Sequence, residues 1–391
     1  MTLGAALATA SSVASRFASA SRASLRVLMR SSSLRGGGVR RSFVAPPAPR
    51  RSFSTAARAL ASTAPPLRTY HADWAEVILP DGHRFPMEKY RATRLALEAD
   101  GSLRGKMEIV PSPLATIDQV LAVHDPGYVQ RVLDCALTPA ETRAIGFPMH
   151  PSSVTRSLAS TGGTVAATRD VLTPGTPHRC AAQIAGGTHH AFADAGEGFC
   201  VFNDIACAAV YAMETFPERL RGSETPILII DLDVHQGNGT AKIFEDETRV
   251  VTFSAHGEKN YPWRTKQRST HDVDLPDGAD DATCLRVVNE WVPFLFETYR
   301  PRLVFFQAGV DALREDSFGR LGMTRAGMLR RNHVVYDACV AADVPLVITM
   351  GGGTRGRSTR ASPRTRTSSD RPRTGSPRGE RRGEEKRREC I

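Results

Sequence analysis

The sequence predicts an α/β fold: an open, mostly parallel sheet with helices on both faces. Short apolar runs alternate with longer amphipathic stretches, which is the order of strands and helices in doubly wound domains. The runs lack strict alternation, which indicates strands that are buried on both faces. Four of the runs lead directly into polar or glycine-rich segments. Because the carboxyl ends of parallel strands share one edge of a sheet, we expect these segments to converge on one site.

The apolar runs predict strands at 180–184, 227–230, 250–253, 303–307 and 345–350. The amphipathic stretches predict helices at 87–99, 126–137, 152–172, 204–215, 282–299 and 324–342.

Composition divides the chain into three zones. Residues 1–72 contain eleven arginines and no acidic residue, and residues 354–391 contain thirteen basic and five acidic residues. Removing their +11 and +8 from the net charge of +10 leaves −9 on residues 73–353. The basic balance therefore belongs to the two ends, and it does not predict nucleic-acid binding by the folded domain. We expect residues 73–353 to form one catalytic domain and residues 354–391 to form a disordered basic tail.

The first zone is typical of an organelle transit peptide, since it is rich in arginine and serine and free of acidic residues. The Arg51-Ser52-Phe53-Ser54 segment resembles the neighbourhood of a mitochondrial cleavage site. A plastid signal would look similar, and a disordered basic arm is the simpler alternative. We expect a location in the mitochondrion or plastid. No stretch is apolar enough to predict a membrane span, and seven cysteines without a CxxC pair indicate reduced thiols.

The segment 231–239, with the sequence DLDVHQGNG, follows the predicted strand 227–230. Since side chains two apart project to the same side of an extended chain, Asp231, Asp233 and His235 face one way and the aliphatic residues between them face the other. Two carboxylates and an imidazole are costly to bury together without a cation, and this donor set suits zinc. A loop of capping aspartates with one surface histidine is the alternative.

Two further segments complete a candidate zinc site. His189 and His190 follow a Gly-Gly pair, whose freedom lets adjacent residues face one site, and histidines beside a metal suit general-base and proton-shuttle roles. A pair of surface histidines is the alternative. Asp311 follows the predicted strand before it and is the third ligand in this interpretation. Asp233, His235 and Asp311 leave one zinc position open to water, which is typical of catalytic sites that hydrolyse amides or esters.

In this order, these segments resemble the zinc-dependent histone deacetylase family over about residues 70–353. The similar segments are GGTHH at 186–190, GFC at 198–200, DLDVHQGNG at 231–239, AGVD at 308–311 and GGG at 351–353. Residues 79–90 and the His-Gln-Gly-Asn form of the metal motif are most similar to class IV and bacterial deacetylase-like members.

The resemblance implies an arginase/deacetylase fold and a set of site residues. The implied zinc ligands are Asp233, His235 and Asp311. The implied residues around the attacking water are His189 and His190, supported by Asp231 and Asn238 respectively. The implied walls of an acyl-lysine channel include Gly198, Phe199, Tyr261 and Gly352, although Phe199 equally suits a core position.

The resemblance also bears on which metals the fold holds. Arginases of the same fold hold two manganese ions through Asp-x-His-x-Asp and Asp-x-Asp motifs. Gly237 and Leu313 replace two of those carboxylates here, so a single zinc is favoured. A structural potassium ion is implied near the backbone oxygens of the metal motif. Its implied ligands are the backbone oxygens of Asp231, Asp233 and His235, together with Ser254.

One position departs from the family pattern. The family's glycine triplet is followed by a tyrosine whose hydroxyl binds the substrate carbonyl, and Thr354 stands there in this chain. No tyrosine follows Tyr336, and losing one such donor typically costs about 10²–10³ in rate. A misread gene sequence beyond Gly353 is the favoured explanation. The alternatives are a genuine truncated form that turns over poorly and a functional basic tail.

The sequence therefore predicts a zinc-dependent hydrolase of acyl-lysine amides, with activity impaired by the missing tyrosine. One alternative is a zinc-loaded but catalytically weak acyl-lysine-binding protein. The other is an acetylpolyamine amidohydrolase, which the acidic core mildly favours. The expected partner is an acylated protein or a small acylated amine, without nucleic acid or membrane, and the oligomeric state is not predicted.

Overall fold

Eight parallel strands form one sheet at the centre of the structure, a computed structural model that describes residues 65–353. In chain order the strands are β1 (Leu67–His71), β2 (Met107–Pro111), β3 (Cys180–Gln183), β4 (Ile227–Asp231), β5 (Val250–Gly257), β6 (His271–Leu275), β7 (Leu303–Gln307) and β8 (Leu346–Thr349). Their order across the sheet is β2-β1-β3-β8-β7-β4-β5-β6, and every neighbouring pair is parallel. The predicted fold class is therefore confirmed.

Helices connect the strands. Within the described range they are α1 (Lys89–Ala99), α2 (Ile117–Leu121), α3 (Pro126–Leu133), α4 (Pro139–Ile145), α5 (Pro151–Leu172), α6 (Asp204–Thr215), α7 (Asn238–Ile243), α8 (Asp281–Tyr299) and α9 (Arg325–Ala342). The helix predicted at 126–137 corresponds to α3, which is four residues shorter at its carboxyl end. The helix ends at Leu133, because Cys135 adopts a left-handed backbone conformation with φ 53°.

Three strands of the sheet, β1, β2 and β6, were not predicted. Strands β2 and β6 are the two edges of the sheet, and each contains two exposed residues among partly or fully buried ones. An edge strand carries polar residues on its solvated side, such as Asp272 and Asp274 in β6, and these interrupt the apolar run that marks a buried strand. Strand β1 begins at Leu67, so the sheet extends into the segment 1–72.

The strand side chains divide between two core clusters, one on each face of the sheet. In β4, Leu228 and Ile230 belong to one cluster, and Ile227 and Ile229 belong to the other. The first cluster includes side chains of α8 and α9, and the second includes side chains of α5 and α6. Each fully buried aliphatic side chain contributes about 1.5–3 kcal/mol of burial free energy. Helices on both faces therefore bury the central strands, as the continuous apolar runs predict.

Two other sequence predictions concern membranes and thiols. Across residues 65–353, no helix is both long and apolar enough to cross a membrane. The six cysteines of that range are all free. Burial raises the pKa of the Cys200 and Cys207 thiols, so both stay protonated. Residues 1–64 of the predicted transit segment 1–72 and the predicted tail from Thr354 lie outside the described residues, whereas residues 67–71 of that segment form β1 and belong to the folded domain.

Candidate metal centre and cleft

The carboxyl edge of the sheet opens into a cleft of about 880 Å³. The segments that follow β3, β4, β7 and β8 all contribute to its wall. The residues of the cleft wall that the sequence singled out are His189, His190, Gly198, Phe199, Asp233, His235, Tyr261, Asp311 and Gly352. The structure thus brings together four segments whose first and last lining residues, Gly186 and Gly353, are 167 positions apart in the chain.

Asp233, His235 and Asp311 form one compact group, with one ligand atom from each residue lying within 4.8 Å of the others. The Nδ1 atom of His235 lies 3.0 Å from Oδ1 of Asp233 and 3.1 Å from Oδ2 of Asp311. Both carboxylates are buried, each with 1% of its surface exposed. The three residues predicted as ligands therefore present their donor atoms to one small volume.

The backbone after β4 positions this group. The N–H of Asp233 donates to Oδ1 of Asp231, and the N–H of His235 donates to Oδ1 of Asp233, each at 3.0 Å. Leu232 and Val234, which alternate with these polar residues, pack into the core cluster of one sheet face. The alternation predicted from the sequence therefore continues past the last strand residue, and hydrophobic burial holds the acidic side chains on the cleft side.

The two buried carboxylates of this group require a positive charge beside them. Burial lowers the pKa of His235, but its contacts with Asp233 and Asp311 outweigh burial and raise that pKa to about 10. Burial, followed by the charge of Asp233, raises the pKa of Asp311. Two buried carboxylates thus need a positive partner, and without a metal the imidazole supplies it by keeping a proton. Two carboxylates and one imidazole also form a three-ligand set that suits zinc.

His189 forms a dyad with Asp231, whose Oδ2 lies 2.6 Å from Nδ1 of the imidazole. Since a carboxylate only accepts hydrogen bonds, Nδ1–H donates. Burial lowers the pKa of His189, but the charges of Asp231 and Asp233 outweigh burial and raise it to about 9. His189 is therefore stabilised in its protonated form, and its support by Asp231 matches the predicted contact.

His190 contacts Asn238, and its pKa is shifted in the opposite direction from that of His189. Its Nδ1 lies 2.7 Å from Oδ1 of Asn238. The amide nitrogen of Asn238 donates to a carboxylate oxygen of Glu197 and to the carbonyl oxygen of Thr265, which fixes the amide so that its oxygen faces the imidazole. Burial, followed by the charges of His189 and His235, holds the pKa of His190 well below its usual value. His190 is thus neutral, with a proton on Nδ1 and a free lone pair on Nε2.

Glu197 is a site residue that the sequence reasoning did not assign. Its Oε1 accepts hydrogen bonds from Nδ2 of Asn238 at 3.1 Å and from Oγ1 of Thr265 at 2.8 Å. A carboxylate therefore supports His190 indirectly, through the Asn238 amide. The sequence feature that could have identified Glu197 is its position directly before the GFC segment at 198–200. An acidic residue beside a glycine turn in a site loop is a candidate for hydrogen bonding.

The predicted channel residues surround the metal group closely. A Cβ on Gly198 would lie 2.7 Å from Cδ2 of His190, and a Cβ on Gly352 would lie 2.3 Å from Oδ2 of Asp311. Both glycines have positive φ angles, 57° and 60°, so a side chain would be strained as well as blocked. The ring of Tyr261 packs edge to face on His190 at 5.1 Å. Small residues are required here because the backbone itself forms the wall.

Phe199 occupies both of the positions that the sequence left open, the cleft wall and a packed core. Its ring lies in the cleft wall, and it also packs against Phe85 and Phe147 at centroid distances of 5.0 and 5.3 Å. The aromatic group belongs to a third core cluster beside the cleft. The channel wall is therefore continuous with a packed core, which holds the ring in place.

Comparison with known proteins agrees with this geometry. The histone deacetylase domain family matches residues 83–367. The chain belongs to the histone deacetylase family. Its fold is the arginase/deacetylase α/β fold, as the eight-stranded parallel sheet shows. The members of the family that are named deacetylases are hydrolases, and zinc is their usual metal.

The relatives of this deacetylase family member cover most of the folded part. An uncharacterised protein of Picosynechococcus sp. is 41% identical over 284 residues, which are 73% of this chain and 90% of that protein. Histone deacetylase 2 of Arabidopsis thaliana is 29% identical over 69% of each chain. The crystal structure of an HDAC homolog from Aquifex aeolicus is 23% identical, with a TM-score of 0.62, and the match covers 74% of this chain and 79% of that one.

Proposed function

We propose that this chain is a zinc-dependent hydrolase of the amide bond in acyl-lysine side chains. The observation that carries the proposal is the convergence of Asp233, His235 and Asp311 beside His190, whose Nε2 lone pair is free. A buried three-ligand group and a neutral histidine in one cleft match what amide hydrolysis requires, namely a polarised carbonyl and a base. Zinc held by the three ligands supplies the Lewis acid that polarises the carbonyl and activates water.

The two histidines have separate tasks in this proposal. His190 accepts the proton of the attacking water at Nε2, because the Asn238 amide holds the ring with its proton on Nδ1. His189 is paired with Asp231, whose negative charge favours the protonated ring, so His189 is suited to stabilise negative charge that develops beside it and to return a proton to the leaving amine. Both rings are nearly inaccessible to solvent outside the cleft, with 3% and 5% of their surface exposed.

The carbonyl oxygen needs a second partner besides the metal. In the family pattern a tyrosine follows the glycine triplet, and Thr354 stands at that position here. A threonine hydroxyl is several ångströms shorter in reach than a tyrosine hydroxyl, so we propose that the chain with Thr354 hydrolyses slowly. Restoring one such donor is worth about 10²–10³ in rate.

The test uses the full chain loaded with one equivalent of zinc and an acetyl-lysine peptide, with free amine as the product measured. We expect slow hydrolysis by the unsubstituted chain and about 10²–10³ faster hydrolysis by the Thr354→Tyr variant. Thr354→Phe is the matched control, since it adds the ring without the hydroxyl and should stay slow. His190→Ala in the Thr354→Tyr background should abolish the gain.

A different result favours the second candidate. If zinc binds with one-to-one stoichiometry and neither variant hydrolyses any acyl-lysine peptide, the proposal of turnover is wrong. Saturable binding of the peptide under those conditions would then identify a catalytically silent acyl-lysine-binding protein. The two candidates differ only in turnover, so the zinc measurement separates a missing metal from missing chemistry.

An acetylpolyamine substrate is less favoured, because the wall of the cleft is basic. Its charged side chains outside the metal centre are Arg84, Lys89, Arg143, Lys259, Arg320 and one carboxylate, Asp316. A polycationic substrate would be repelled at this rim, whereas an acyl-lysine flanked by acidic residues would be attracted. Comparing acetyl-spermidine with acetyl-lysine peptides of acidic and basic flanking sequence tests this preference.

Three further expectations belong to the same proposal. We propose a mitochondrial or plastid location, which a fusion of residues 1–72 to a fluorescent protein tests in cells. We also propose a structural potassium ion near Ser254, which pairs with Asp231 across the neighbouring strands. A relationship to class IV and bacterial deacetylase-like members remains a prediction from the sequence of the metal motif.

A further inference from the structure

A second concave site lies at the opposite edge of the sheet from the metal centre. It is a cleft of about 550 Å³ beneath the amino ends of three adjacent strands. Arg179 directly precedes β3, Pro345 directly precedes β8, and Arg302 directly precedes β7. Because β8 lies between β3 and β7, the two arginines approach the cleft from either side of the central strand.

Basic side chains dominate this cleft. Four arginines, Arg179, Arg219, Arg300 and Arg302, line it together with a single carboxylate, Asp343. Arg179 pairs with Asp343 at 2.8 Å. Among residues 65–353, the other three guanidinium groups form no ion pair. Arginine stays charged at any pH at which the protein is folded, so three positive charges face the cleft without a carboxylate.

The fold itself explains only part of this charge. Helices α5, α8 and α9 end beside the cleft, and a helix carboxyl end carries about half a negative charge that favours arginine. Three such ends offset about one and a half of the three unpaired positive charges. The clustering also stands out against residues 73–353, whose net charge is −9. A surplus of positive charge is therefore concentrated in one concavity of an acidic domain.

We propose that this cleft binds a small anion that carries two or more phosphate groups. Guanidinium groups present planar pairs of donors that match phosphate oxygens, and three guanidinium groups without a carboxylate partner offer such pairs to more than one phosphate group. A volume of about 550 Å³ suits a small molecule and not a nucleic-acid strand. The carboxylate of Asp343 holds Arg179, and the carbonyl oxygen of Gly222 accepts from Nη2 of Arg302 at 3.4 Å, so part of the site is formed in advance.

Titration calorimetry of the full, metal-free chain with inorganic pyrophosphate tests the proposal. Metal-free protein is used because pyrophosphate would otherwise compete for zinc. We expect saturable one-to-one binding that Arg300→Gln and Arg302→Gln each weaken at least about tenfold, since each removes charge-assisted hydrogen bonds. Arg286→Gln is the matched control: Arg286 is exposed on α8, about 20 Å along the helix axis from Arg300, which caps the carboxyl end of that helix, and its removal should leave the affinity unchanged.

Three controls make the outcome decisive. Lys259→Gln at the rim of the metal-centre cleft should also leave the affinity unchanged, which excludes binding there. Since the arginines are exposed, the variants should fold, and circular dichroism checks this; Arg219→Gln replaces either variant that does not fold. Adenosine diphosphate is titrated in parallel: binding tighter than that of pyrophosphate identifies a nucleotide, and equal binding shows that the phosphate groups suffice.

Two results would overturn the proposal. One is the absence of saturable binding up to about 1 mM pyrophosphate. The other is equal weakening by Arg286→Gln and Arg300→Gln, which would mean an adventitious ion only, attracted by the general charge of the chain. The site needs neither zinc nor turnover, so either result leaves the proposed hydrolase function untouched.

Discussion

Arg331 donates a hydrogen bond from Nη1 to the carbonyl oxygen of Leu232, over 2.8 Å. Its Nη2 donates to the carbonyl oxygen of Gly309 at 3.0 Å. The guanidinium group is buried and thus joins the two loops that carry Asp233 and Asp311. A single cation from α9 therefore fixes the backbone on both sides of the metal centre.

We expect Arg331→Met to lower the free energy of unfolding by about 3 kcal/mol, because it leaves two buried carbonyl oxygens without donors. Zinc affinity should fall as well, about 10–100-fold, since the ligand loops lose their common anchor. Urea unfolding and a zinc competition assay measure the two effects. Arg330→Met is the control, because Arg330 is exposed and its pair with Asp281 is worth at most about 1 kcal/mol. Equal effects of the two substitutions would contradict the anchoring role.

Asp311→Asn tests the metal group directly. Loss of one of the two carboxylates should weaken zinc binding by more than about 100-fold, since three ligands become two and half of the negative charge is lost. Competition with a chromophoric chelator gives the affinity, and elemental analysis gives the stoichiometry. Glu315→Gln removes the same charge from an exposed position four residues away and should bind zinc normally. Undiminished zinc binding by Asp311→Asn would exclude this site.

Glu197 should influence the rate through His190 without contacting substrate. In the Thr354→Tyr background, we expect Glu197→Ala to lower kcat about tenfold with little change in KM, because the Asn238 amide loses the acceptor that orients it. Glu197→Gln keeps one oxygen acceptor and should restore most of kcat. Steady-state kinetics on an acetyl-lysine peptide measure both. A rise in KM alone, or no rescue by glutamine, would argue against positioning.

His124 gives the fold a sensitivity to acid that is independent of the metal. Its Nε2 accepts from the backbone N–H of Asn203 at 2.9 Å, and its Nδ1 lies 3.2 Å from the carbonyl oxygen of Ala193, so the ring is held neutral. Burial lowers its pKa to about 4. The unfolded chain takes up this proton below pH about 6.5, and the folded chain does so only near pH 4. The contribution of His124 to stability is therefore complete above pH 6.5 and is lost as the pH falls from there towards 4.

We expect the titration of His124 to lower the free energy of unfolding by about 2 kcal/mol between pH 6.5 and pH 4.5. Urea unfolding at a series of pH values measures the loss. His124→Gln is expected to show a shallower dependence by that amount, and His333→Gln, at an exposed position, should match the unsubstituted chain. Parallel curves for the unsubstituted chain and His124→Gln would show that His124 is not the group responsible.

The amino-acid sequence alone predicts the central strands, helices on both faces of the sheet and the ligand types of the candidate metal centre. The continuous apolar runs of β4 and β7 are visible without a structure because their side chains are buried on both faces. The order of Asp233, His235 and Asp311 after such runs was enough to predict their convergence, since parallel strands place their carboxyl ends together. The edge strands β2 and β6 could not be predicted in this way, because partial exposure breaks their apolar pattern.

The residues that support the site, and the cleft at the amino ends of the strands, become visible only in the folded chain. Arg331 and Glu197 act through contacts with residues 99 and 41 positions away, and no local pattern marks such a pair. The arginines of the second cleft stand in three separate connections, which precede β3, β4 and β7, and only the strand order β3-β8-β7-β4 brings them together. Local sequence encodes burial and chemical type, whereas proximity between distant segments is set by how the whole chain packs.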